Sequence, residues 1–78
     1  MSAAIEVSRA IYVLEQDARD DRHGPLPRTL VRYVGPCEVK AIARADWRRP
    51  NPRVEWRLDG KRTTKRRLLA AIEAEVAS

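Results

Sequence analysis

Phenylalanine is absent, and two tryptophans and two tyrosines are the only aromatic residues. Any bulky packing must therefore come from Trp47, Trp56, Tyr12 and Tyr33, each able to bury on the order of 150–250 Å². A single cysteine, Cys37, excludes an internal disulfide and gives no reason to expect an oxidising compartment. With one cysteine and one histidine, no zinc ligand set of the usual kind can be assembled. Glycine is scarce too. Gly60-Lys61 followed by threonine has the end of a phosphate-binding loop but not its beginning, since the glycine needed five residues upstream is Glu55. Long apolar runs are also missing: no stretch approaches the ~20 residues of a membrane-spanning helix, and the N-terminal residues lack a basic segment followed by an apolar one. The expectation is a cytoplasmic protein without membrane attachment.

What is present is charge. At 78 residues the chain has room for one domain, residues 1–78, with one modest core. Charged residues make up 35% but are mixed in sign and interrupted by apolar stripes, which favours a globular fold over disorder. The net charge of +5 conceals an asymmetry. Residues 1–21 carry Glu6, Glu15, Asp17, Asp20 and Asp21 against Arg9 and Arg19. Residues 48–67 carry Arg48, Arg49, Arg53, Arg57, Lys61, Arg62, Lys65, Arg66 and Arg67 against Glu55 and Asp59 alone.

Ala4, Val7, Ile11, Leu14 and Ala18 follow helical spacing, with Ala10 and Val13 widening the stripe. This predicts a first helix over 3–19 with Ser2 as its N-cap. Gly24, Pro25 and Pro27 in Arg22 to Arg28 stop it and predict an extended linker. Thr29 to Val34 reads as a strand, and Gly35-Pro36 as a turn. Glu38 to Trp47 fits both periods, but Arg48 to Arg53, RRPNPR, is a turn sequence of hairpin length, and Val54 to Asp59 alternates as a strand that needs a partner.

Charge on the polar face offers a choice of register. Asp46 opposite Arg53, with Arg44 facing Glu55 and Lys40 facing Asp59, is complementary; so is Asp46 opposite Arg57, with Arg44 facing Asp59 and Trp47 facing Trp56. Asp59-Gly60 ends the strand, Thr63 or Thr64 caps a last helix, and Leu68, Leu69, Ile72 and Val76 form its apolar stripe. The expected fold is α+β, a three-stranded antiparallel β-meander with N- and C-terminal helices (αβββα). A helix at 38–47 would instead make a winged helix-turn-helix.

Catalytic chemistry finds little support. His23 and Cys37 lack a nucleophile signature, and Asp17, Asp20 and Asp21 lack the alternating oxygen ligands of a cation loop. The expectation is a chain that is not an enzyme and has no metal and no cofactor. Lys65, Arg66 and Arg67 occupy the first helical turn, where the macrodipole prefers acids and each cation costs roughly a few tenths of a kcal/mol. An anionic partner would explain this. The leading expectation is a nucleic-acid-binding module or small regulator that contacts DNA or RNA phosphates through Arg48, Arg49, Arg53, Arg57, Lys61, Arg62, Lys65, Arg66 and Arg67. The alternative is a small inhibitor or adaptor, of the kind found in phages and mobile elements, using the same arginines on an acidic host protein surface. A purely structural reading pairs the basic helix start with the acidic end of the first helix, or with a second copy of the chain.

Overall fold

A computed structural model of the chain describes residues 3–77. The elements run α1 (Ala3–Arg19), a 3-10 turn (Asp21–His23), β1 (Arg28–Val34), β2 (Cys37–Arg44), β3 (Arg53–Leu58), β4 (Lys61–Thr63) and α2 (Lys65–Ala77). The class is α+β. The sheet is an antiparallel meander in the order β1-β2-β3-β4, so it has four strands where the sequence reading gives three. Asp59 and Gly60 have φ of 49° and 84°, the two positive values that a two-residue type I′ hairpin requires. The chain therefore turns back at once, and Leu58, Arg57 and Trp56 pair with Lys61, Arg62 and Thr63. Residues 37–44 are strand, which removes the winged helix-turn-helix alternative.

Both helices lie on one face of the sheet. Val7, Ile11, Leu14 and Ala18 of α1 and Leu68 and Ile72 of α2 share one cluster with Cys37, Val39, Ala41, Ala43 and Trp56. Thr64 caps α2: its Oγ1 accepts from the Arg67 N–H (3.3 Å) and its carbonyl from the Leu68 N–H (2.9 Å). The Ser2 cap expected for α1 lies outside the described residues. Val13 is exposed, so the α1 stripe is narrower than its spacing suggests.

The β2–β3 register is neither of the two that charge complementarity favours. Arg44 faces Arg53, Ile42 faces Glu55 and Lys40 faces Arg57. The inner face explains this. In the observed pairing Val39, Ala41 and Ala43 oppose Leu58, Trp56 and Val54. A slide of two residues toward the Asp46–Arg53 pairing would set Val39 against Gly60 and Val54 against Ala45. Burying one Val or Leu is worth roughly 1.5–3 kcal/mol, whereas a cross-strand charge pair is worth roughly 0.2–1 kcal/mol. The apolar pattern wins, and charge follows.

The aromatic residues divide differently from the expectation that all four pack. Trp56 alone is buried, at 5% exposure; Trp47, Tyr12 and Tyr33 are 88%, 59% and 68% exposed. Trp47 lies beyond the end of β2, in the loop over residues 45–52, where neither helix covers it.

The segment read as an extended linker is instead folded. Asp20 caps the 3-10 turn by accepting from the Arg22 N–H (3.0 Å), and the chain then bends through a cis Leu26–Pro27 bond. Arg28, on the inner face opposite Ala43, is buried. Its Nε donates to the Ala18 carbonyl (2.6 Å), its Nη1 donates to the Gly24 carbonyl, and Asp21 lies 3.7 Å from Nη2. A cation here completes the carbonyl end of α1, where the macrodipole is negative.

Two outcomes test this account. Trp56→Ala should lose about 3–5 kcal/mol in urea unfolding, while Trp47→Ala stays within about 0.5 kcal/mol of wild type. Bonds from the Arg22 side chain and backbone hold the Asp20 carboxyl down to about 2. A depressed folded-state value gives stability that is present above the unfolded value of 3.8 and is lost as pH falls toward 2. The gap in urea midpoint between wild type and Asp20→Asn should therefore close over that window.

Candidate nucleic-acid interface

The face of the sheet away from the helices is open. In β-strands alternate residues share a face, and here Val31, Lys40, Arg57 and Arg62 align across all four strands. Three cations thus stand directly opposite one another. Arg44 and Arg53 form a second like-charged pair on the same face. Such pairs are destabilising. Glu55 offsets part of this, lying diagonally 3.6 Å from Arg44 and 3.7 Å from Arg62. Glu38 lies 3.6 Å from Lys40 and accepts from the Tyr33 hydroxyl (3.1 Å), which pushes the Tyr33 phenol up. Among the described residues, Arg53 and Arg57 have no carboxylate at ion-pair distance.

The loop over 45–52 adds a second group. Asp46 Oδ1 accepts from the Arg48 N–H (3.0 Å) and its carbonyl from the Arg49 N–H (3.2 Å). This Asx-type closure, followed by Pro50 and Pro52, restricts the loop. Arg48, Arg49, Arg53 and Arg19 line a cleft where the end of α1 meets the loop, with Asp46 as its acid. The Arg48 guanidinium stands 4.8 Å from the centroid of the Trp47 ring.

The helix start forms a third group, and it is split. Lys65 Nζ lies 2.7 Å from Glu15 Oε2, while Arg19 donates to Glu15 Oε1 (2.8 Å). Glu15 is buried between the two helices, so Lys65 is a structural residue. Arg66 and Arg67 are exposed, with no carboxylate at ion-pair distance among the described residues. The purely structural reading gives this neutralisation to Asp17, Asp20 and Asp21; among the described residues Glu15 supplies it, and to Lys65. Asp20 engages Arg22 and Asp21 approaches Arg28.

Of the residues singled out from sequence, Arg48, Arg49 and Arg53 come together at the cleft, Arg57 and Arg62 on the open sheet, and Arg66 and Arg67 at the helix start. Lys61 stands alone beside the hairpin turn. Sequence reasoning overlooked Arg19, Lys40, Arg44 and Trp47. Alternation along residues 38–47 places Lys40 and Arg44 on the polar face, as the sequence reading has them, but only the register sets them against Arg57 and Arg53 and not against acids.

Other chemistry is less well served. Burial, then the charges of Asp59 and Glu75, pushes the Cys37 thiol up, opposite to what a nucleophile needs. Among the described residues no cluster of three His, Cys, Asp or Glu could hold a metal ion, and no helix is long and apolar enough to cross a membrane. No protein-family model matches the chain, and no curated protein or solved structure is significantly similar to it.

Charge reversal separates the two roles at the helix start. Lys65→Glu should cost about 1–3 kcal/mol by leaving buried Glu15 facing a like charge. Arg66→Glu and Arg67→Glu should stay within about 0.5 kcal/mol or gain slightly from the dipole. Thermal melts of the three variants provide the comparison.

Proposed function

We propose that the chain is a nucleic-acid-binding module, a small regulator and not an enzyme, that docks phosphates on its open sheet face and on the adjoining loop. The observation that carries this reading is the row Lys40, Arg57 and Arg62, held in direct opposition, with Glu38 and Glu55 as its ion-pair partners among the described residues. Folding gains nothing from such a row, and a phosphate backbone does. Arginine suits it, since a guanidinium presents paired donors to a phosphate. Arg44, Arg53, Arg48 and Arg49 extend the surface toward the loop, and Arg66 and Arg67 supply a further contact at the helix start.

Exposed Ile5 and Tyr12 on the outer side of α1 favour a second reading, a protein partner met as an inhibitor or adaptor would meet it. Retention of one partner from lysate after nuclease treatment would favour that reading.

For the leading reading, fluorescence anisotropy with a labelled oligonucleotide should show log affinity falling linearly with log salt. Arg57→Gln should weaken binding and lower the slope by about 1. Absence of binding to every oligonucleotide at low ionic strength would end it.

A further inference from the structure

Trp47 is 88% exposed in a loop whose other side chains form an arginine cleft. Phosphate binding explains the cleft but leaves the indole without a task. Trp47 does not itself line the cleft, but its chain neighbours Asp46 and Arg48 do, and the Arg48 guanidinium stands over the indole at 4.8 Å. The Asp46 turn and the two prolines hold the segment, so little order remains to be imposed on binding. In a paired duplex every base is already stacked on its neighbours and has no free face to offer. An unpaired base has one, and a flat aromatic beside phosphate-binding arginines is what single strands require.

We infer that the loop over 45–52 takes an unpaired base on Trp47 while Arg19, Arg48, Arg49 and Arg53 hold the neighbouring phosphate, so that the ligand is single-stranded nucleic acid. This rests on the phosphate-binding reading above and narrows it. Trp56, buried in the core, serves as an internal reference for the exposed indole.

The test uses the full chain with three labelled probes of one sequence: single-stranded RNA, single-stranded DNA and the blunt DNA duplex. Anisotropy reports affinity, and acrylamide quenching reports access to Trp47. A single strand should protect the accessible indole, and Trp47→Ala should weaken single-strand binding about tenfold with duplex binding within about twofold. The two single strands show whether ribose or deoxyribose is preferred. Duplex binding as tight as single-strand binding, or a Trp47→Ala variant that weakens neither or both alike, would overturn the inference and leave the phosphate reading standing. Failure of all three probes to bind would overturn both. Circular dichroism of the variant confirms the fold, which an exposed side chain should not disturb.

Discussion

Trp56 against Ala41 is the contact on which the arrangement depends. A large ring in β3 needs a small partner in β2, and the alanines at 41 and 43 provide a floor low enough for the ring to lie under the helices. Once that pair is set, Val39 meets Leu58 and Val54 meets Ala43, and the other side of the sheet has no say in the register. Each cation on that side lands wherever the apolar side sends it. Repulsion in water is too weak to move the strands, because solvent reduces it to roughly a kcal/mol per pair at most.

Two buried charges then fix the helices. Arg28 closes the carbonyl end of α1 from the first residue of β1, tying the helix to the sheet edge. Glu15 receives Arg19 from its own helix and Lys65 from α2. Removing one partner of such an arrangement is expensive, because the remaining charge stays out of water. The basic helix start thus has two origins, with Lys65 serving the fold and Arg66 and Arg67 left to the surface.

Much of the fold was legible in the sequence. Helical spacing in residues 4–18 and 68–72, alternation in 54–58 and the Gly35-Pro36 turn each correspond to an element, and the span of α1 matches its apolar stripe. The fourth strand was hidden because Lys61, Arg62 and Thr63 carry no apolar alternation; only the Asp-Gly pair before them signals a hairpin. The register was misread because charge complementarity was weighed without the stronger inner-face pattern. Trp47 was assigned to the core on side-chain size, although its place beyond β2 puts it out of reach of either helix. Arg28 looked like a linker cation, since nothing local marks a residue that caps a helix ten positions away. Of the candidate site, most charged members were visible in sequence, though Arg19, Lys40 and Arg44 were not among them, and which cations share the open sheet face is a property of the register.

Because the register is locked from beneath, the fold of the sheet and the proposed docking row on its open face are carried by different sets of residues. Lys40, Arg57 and Arg62 project from a floor that Val39, Ala41, Trp56 and Leu58 hold in place. Natural selection can rewrite the upper layer, exchanging a guanidinium for an amide or an acid, while the scaffold below stays indifferent. A lineage with this architecture could change the charge of its open face far faster than its shape, so that structural relatives would share a skeleton and differ in the surface they present.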